Sequence, residues 1–233
     1  MYIIGFKKSS EIPTVPPIGS TVFYLDTTKA PENNKLFDKV SNTYNCDIYD
    51  ETVSDVITLS NDVKYCNRST LKFTLPDLQG RECLFDFEYD NEIFVPAQGL
   101  KYLVLAGLQT DTYIQICSGP LTQWNPNNTK FIIQNGIFKH DTNINVALDF
   151  NNQFHTFGFI DTDTYCAVYY NNNKVYEKIK ETDYPFSNNS VFNIGGWYST
   201  PSFYICEMFY DNIAGTKYET QVYDTLEINT PYM

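Results

Sequence analysis

The chain is 233 residues long, 42% hydrophobic and 16% aromatic, with 19 Tyr and 17 Phe. That composition excludes a wholly disordered chain and favours strands over helices. Sixteen Lys and Arg stand against 28 Asp and Glu, a formal charge of −12, so neither phosphate backbones nor anionic bilayers are expected partners.

At the start, Met1-Tyr-Ile-Ile-Gly-Phe-Lys-Lys has too short an apolar stretch for a secretory leader, and its lysines follow the apolar residues. The expectation is synthesis and assembly in a reducing cytosol. Pro13, Pro16 and Pro17 make an extended lead-in. Gly19-Ser20 then turns into a strand at Thr21–Leu25, and a turn-rich loop from Asp26 to Asn34 leads to a second strand at Lys35–Val40. A lone hairpin of this size is too small to be stable and is expected to dock on something else. The acidic stretch from Asp47 to Asp55 reads as a linker. The predicted organisation is therefore a hairpin segment for attachment or oligomerisation at 1–54 and a main domain at 55–233.

From Val56 onward, strand signals recur at short intervals. They fall near Val56–Leu59, Leu71–Leu75, Cys83–Tyr89, Tyr102–Leu108, Tyr113–Cys117 and Lys130–Ile133. Others lie near Ile144–Phe150, Phe154–Ile160, Cys166–Tyr170, Lys174–Ile179, Val191–Ile194, Phe203–Phe209 and Tyr223–Ile228. Clusters of Asn, Asp, Gly and Pro separate them and supply turn geometry. No segment sustains a 3.6-residue apolar period. Many short strands with regular turns predict an all-β, two-sheet antiparallel sandwich. Within it, Phe154–Phe159, Cys166–Tyr170 and the segment from Lys174 predict a three-stranded meander.

Phe154-His155, Tyr170-Asn171-Asn172-Asn173-Lys174 and Ile194-Gly195-Gly196 resemble the W-H … Y-x-N-G-K … I-G-G pattern of concanavalin A-like and laminin G-like jelly rolls. Phe154 stands where that family has Trp, and Asn where it has the turn Gly. The resemblance implies a jelly roll with a packing role for His155, and a lectin-like domain. A second segment, Ile12 to Lys39, with Gly19, Tyr24, Asp26, Lys35, Leu36 and Lys39, resembles the "G-x-x-x-x-Y-x-D … K-L-x-x-K" motif of tailed-phage fibre and capsid-decoration proteins. It implies attachment to a particle. The expected function is a non-enzymatic virion surface subunit, a homo-oligomer bound to other virion proteins through its N-terminal segment. Its outer domain would touch surface glycans. The alternatives are a free carbohydrate-binding module and a glycoside hydrolase.

The hydrolase alternative rests on Glu88-Tyr89-Asp90-Asn91-Glu92, which is similar to the E-x-D-x-E motif of laminarinase-type enzymes. That likeness would make Glu88 the nucleophile, Glu92 the acid/base and Asp90 the tuning group. The preferred reading is an apolar-in, polar-out strand that runs into an acidic turn, so no catalytic residue is expected. For sugar binding, Trp124 with Asn125 and Trp197 with Tyr198 set aromatic rings beside polar groups; the preferred reading of both Trp is that they cap the ends of the sandwich core. No cofactor is expected, with calcium conceivable through Asp161, Asp163 or Asp211. The six cysteines show no C-x-x-C spacing, and those inside apolar strands (Cys117, Cys166 and Cys206) read as small buried hydrophobes. Three glycosylation sequons, at Asn67, Asn127 and Asn188, read as chance in so Asn-rich a chain.

Overall fold

The computed structural model describes residues 21–49, 57–75, 83–86, 99–120, 129–140, 143–161, 165–171, 173–179, 190–196 and 200–211. Strands β1 to β8 span Thr21–Tyr24, Lys35–Asp38, Thr43–Tyr49, Ile57–Tyr65, Arg68–Leu75, Cys83–Asp86, Gly99–Ala106 and Ile114–Pro120. Strands β9 to β16 span Thr129–Gln134, Ile137–His140, Ile144–Ala147, Phe154–Asp161, Tyr165–Tyr170, Asn173–Ile179, Ser190–Gly196 and Thr200–Asp211. The predicted strand at Tyr223–Ile228 lies outside the described residues.

Two eight-stranded antiparallel sheets result. One runs β14-β13-β12-β7-β16-β5-β4 with β1 beside β16, and the other β11-β10-β9-β8-β15-β6-β3-β2. The predicted sandwich is observed, and β12, β13 and β14 form the expected meander. Two predicted details change. Residues 47–49, read as linker, continue β3 and pair with β6 through Asp47↔Asp86, Ile48↔Phe85 and Tyr49↔Leu84. Acidic composition misled there, because strand pairing is made by the backbone. The Asn135-Gly136 pair, both at positive φ, closes a tight β9–β10 hairpin. That Asn-Gly signal marks a strand, β10, missing from the sequence reading.

Side chains alternate faces along each strand, and one set meets between the sheets. Leu103, Leu105, Phe157, Phe159, Phe203 and Ile205 from one sheet face Ile114, Ile116, Phe131, Ile133 and Phe138 from the other. Phe138 is central, with Phe131, Phe157, Phe159 and Tyr170 at ring distances of 5.8, 5.0, 6.4 and 6.2 Å.

The first sheet is also buried on its outer face. Tyr102, Val104 and Ala106 alternate with the inward leucines of β7 and form a second apolar cluster with Tyr65, Tyr169, Cys206 and Phe209. The β4–β5 hairpin helps to cover this face. The Tyr65 ring on β4 lies 5.1 Å from that of Phe154 on β12, although four strand steps, roughly 19 Å in a flat sheet, separate those strands. The hairpin reaches across because its register shifts: Ser60 faces Thr70, but the next pair is Tyr65 with Arg68. Extra residues on one strand bend it. Cys66 and Asn67, both at positive φ, make the hairpin's tip.

A buried ion pair pins this hairpin. Arg68 Nη2 lies 3.1 Å from Glu207 Oε1, with the Glu207 side chain only 1% exposed. Arg68 Nη1 donates to Tyr24 Oη at 2.7 Å, and Tyr24 Oη donates to the same Glu207 oxygen at 2.9 Å. Tyr24 thus ties β1 to both β5 and β16.

The N-terminal strands are stitched into both sheets. β1 pairs with β16, β3 pairs with β6, and a bridge from Leu25 to Asp38 joins β1 to β2. The expected hairpin of β1 and β2 is therefore not formed as such: its two strands join different sheets of the sandwich, β1 beside β16 and β2 beside β3. Residues behind the phage-protein likeness form an internal clasp: the Lys39 ammonium lies 4.8 Å from the Tyr24 ring centre and 3.6 Å from Asp26. Asp38 Oδ1 also accepts the backbone N–H groups of Tyr24 and Val40. Cys66 and Cys206 are free thiols. Burial raises the Cys206 thiol's pKa, which keeps it protonated and fits the packing role read from sequence.

Removing one partner of a buried ion pair costs about 3–5 kcal/mol, whereas an apolar replacement of both is often neutral. Arg68→Met should accordingly destabilise the chain strongly in urea denaturation. The double variant Arg68→Met, Glu207→Met should recover most of that loss. Equal losses in both variants would show that the pair does not act as a unit.

Candidate functional site

Three connections converge at one end of the sandwich: the β7–β8 loop, the β9–β10 turn and the β11–β12 loop. Together they line an open cleft of about 540 Å³ formed by Gln109, Thr110, Asp111, Asn135 and Phe150. Its volume lies within the ~300–1,000 Å³ usual for small-molecule sites.

Local hydrogen bonds set each wall. In the β7–β8 loop the buried Thr112 closes on Gln109 twice: Gln109 N–H donates to Thr112 Oγ1 at 2.8 Å, and Thr112 N–H donates to the Gln109 carbonyl at 3.0 Å. The exposed tip between them carries Thr110 and Asp111. In the β9–β10 turn, Gly136 sits at φ 69°, and a Cβ there would meet the Phe150 ring at 3.2 Å. The missing side chain is the seat of that ring. The Gly136 carbonyl also accepts from Leu148 N–H at 2.8 Å, which fastens the β11–β12 loop to the turn.

Tyr170 holds the same loop from below. Its hydroxyl accepts from Asp149 N–H at 2.9 Å and lies 2.9 Å from His155 Nδ1. The arrangement that uses the hydroxyl's own proton puts the imidazole lone pair on Nδ1. The Asp149 carboxylate completes the loop: Oδ1 accepts from Asn151 N–H and Nδ2, and Oδ2 from Asn152 Nδ2. Phe150, between these anchors, is 46% exposed, with its ring edge-on to His155 at 6.2 Å. An aromatic ring half in water and fixed by its neighbours offers a flat apolar face, and Gln109 and Asn135 line the same cleft.

His155 fills the packing role expected of it. It is buried, and its ring is near-parallel to that of Tyr170 at 6.1 Å. Burial lowers its pKa to about 4, against a smaller upward pull from Asp149. It is neutral at pH 7 and belongs to the foundation beneath Phe150.

None of the sequence-selected site side chains is described. Glu88, Asp90 and Glu92 lie outside the described residues, as do Trp124, Asn125, Trp197, Tyr198 and Asp163. The flanking strand ends do have positions. Gly196 and Thr200, on either side of 197–199, lie at the cleft end, where Tyr113 N–H donates to Thr200 Oγ1. Pro120 and Thr129, on either side of 121–128, lie at the opposite end of β8 and β9. The backbones of Asp161 and Asp211 also lie away from the cleft, opposite Gly99 and Leu100 on the two strands flanking β7. The sequence predicts Phe150 as the end of a strand at Ile144–Phe150, but β11 stops at Ala147 and Phe150 lies in the loop that follows. The Asn135-Gly136 turn and the Asp149–Asn152 run were the signals that could have found it.

Among solved structures the chain is similar to the binding domain of botulinum neurotoxin serotype D, at 13% identity and TM-score 0.51, over 88% of this chain and 51% of that one. It is likewise similar to the receptor binding domain of botulinum neurotoxin D, at 13% identity and TM-score 0.53, over 88% of this chain and 52% of that one. A third is the receptor binding domain of the C/D mosaic serotype, at 14% identity and TM-score 0.52, over 88% and 51%. The shared property is the fold. The chain spans about half the length of the structures it matches. No family model matches the chain, and no curated protein does.

The depressed histidine pKa sets a pH dependence. Unfolded His155 takes up a proton below its ordinary pKa of 6.5, whereas the folded state resists until about pH 4. The unfolded state therefore binds more protons in that window, and stability falls as pH drops through it, by on the order of 2–3 kcal/mol. In urea titrations at pH 7.5 and 4.5, His155→Gln should lose less stability between the two than the parent chain. An identical loss would contradict the assignment.

Proposed function

We propose that this chain is a non-enzymatic carbohydrate-binding module whose cleft holds a sugar ring against Phe150. The carrying observation is that half-exposed ring, seated over Gly136 in a cleft that Gln109 and Asn135 also line. The apolar face of a pyranose covers an aromatic ring, while amides donate to and accept from its hydroxyls. Walls fixed by backbone hydrogen bonds keep the ordering cost of binding low. The solved structures that share the fold are titled binding domains, which supports a recognition role. Fold alone does not fix a ligand, so the reading rests on the cleft.

A second element of the proposal concerns setting. The likeness of residues 12–39 to phage fibre and decoration proteins supports a place on a virion surface, as an oligomer whose weak sites add by avidity. The clasp formed by Tyr24, Asp26 and Lys39 gives that motif a structural purpose as well. Mass spectrometry of purified particles from the source should then contain this chain, and its absence from them would remove the virion setting without touching the cleft.

For the binding reading, a glycan array probed with the full chain should give sugar-dependent signal, and titration of the best hit should show Phe150→Ala weaker by tenfold or more. That factor is about 1.4 kcal/mol, ordinary for losing an aromatic anchor. Binding unchanged in Phe150→Ala would place the site elsewhere.

A further inference from the structure

The groups around Phe150 also limit what its ligand carries. Besides Phe150, the residues that line the cleft are Gln109, Thr110, Asp111 and Asn135, whose side chains carry amide, hydroxyl and carboxylate groups. Amides and hydroxyls pair with uncharged hydroxyl groups in either direction, whereas a carboxylate only accepts. Among the described lining residues none carries a positive charge. Lys139, on the strand leaving the Asn135-Gly136 turn, donates to Gln134 Oε1 at 2.8 Å. His155, beneath the platform, bonds to Tyr170 and is buried. Asp149 adds a second carboxylate in the adjoining loop, with both oxygens engaged by Asn151 and Asn152. A carboxylate or sulfate on a sugar lying over Phe150 would come close to Asp111, with no compensating cation among the described lining residues and inside the field of a chain of net charge −12.

We infer that the cleft selects uncharged pyranose residues and rejects sialylated, uronate-bearing and sulfated ones, with Asp111 as the discriminating residue. This rests on the carbohydrate reading of the same cleft. The open shape of the site suits one or two sugar rings, with the rest of the glycan left in solvent.

The test is an array that carries neutral galactose- and glucose-terminated oligosaccharides beside sialylated and sulfated forms of the same cores. It is probed with the full chain and with Asp111→Asn, Phe150→Ala and Phe150→Tyr. The expected result is binding to neutral members and at least fivefold weaker binding to their charged counterparts at low salt. That gap should narrow in Asp111→Asn and at high salt, because surface charge effects are screened. Phe150→Tyr should retain neutral binding and Phe150→Ala should lose it, which separates loss of the platform from loss of the fold. Charged members bound as well as neutral ones, still dependent on Phe150, would overturn the selectivity and leave the carbohydrate reading standing. Binding to no member, or binding indifferent to Phe150→Ala, would overturn both.

Discussion

The hydroxyl of Tyr170 is the point at which the fold becomes a site. Its ring belongs to the inter-sheet core, 5.4 Å from Phe157 and 6.2 Å from Phe138. Its oxygen emerges at the sandwich end, where it accepts from Asp149 N–H and meets His155. A loop of exposed Asp, Phe and Asn has little apolar area with which to hold itself in place. It stays ordered because Tyr170 below and Gly136 beside it take up its backbone N–H groups. The position of Phe150 is therefore inherited from the packing of rings deep between the sheets.

The opposite face of the first sheet follows a different rule. In an open antiparallel sheet one side is usually wet, yet β7 is buried on both sides here. The bent β4–β5 hairpin contributes to this cover, and Arg68, Tyr24 and Glu207 fasten it. A network of charged groups in low dielectric is costly unless geometry is good. Its value lies in specifying where the hairpin lands, since apolar contact alone would accept several registers. The same Tyr24 carries the N-terminal strand, so hairpin cover and strand attachment share one set of bonds.

Much of the fold was legible because aromatic and β-branched residues alternate so regularly. The meander of β12, β13 and β14, and the packing role of His155, followed from that alternation and from the jelly-roll pattern at Phe154-His155. What escaped was set by the backbone. Residues 47–49 form strand because β6 pairs with them; Ile48 and Tyr49 favour strand, but the acidic residues that follow them up to Asp55 masked that signal. The short β10 escaped because only Ile137 and Phe138 carry apolar signal beyond the turn, so the Asn135-Gly136 pair was the one cue that pointed to it. The two N-terminal strands were legible but their pairing was not: β1 joins β16 and β2 joins β3 instead of each other, and long-range pairing leaves no local trace. The cleft was illegible for the same reason: Gln109, Asn135 and Phe150 are distant in sequence and meet only when three loops gather at one end. Residues chosen for aromatic-amide adjacency along the chain, such as Trp124 with Asn125, express a local version of the arrangement that the fold assembles from remote parts.

Likeness to toxin binding domains at 13% identity concerns the scaffold alone, because a fold does not fix a function. The coupling from Tyr170 to the Phe150 loop is what fixes that loop on the scaffold. Hydrogen–deuterium exchange at the Asp149 amide, compared between the parent chain and Tyr170→Phe, tests that coupling most directly. Loss of one hydrogen bond, worth about 1 kcal/mol, should speed exchange at Asp149 roughly fivefold while amides of β7 and β12 exchange as before. Unchanged exchange at Asp149, or equal acceleration throughout the sheets, would contradict the account.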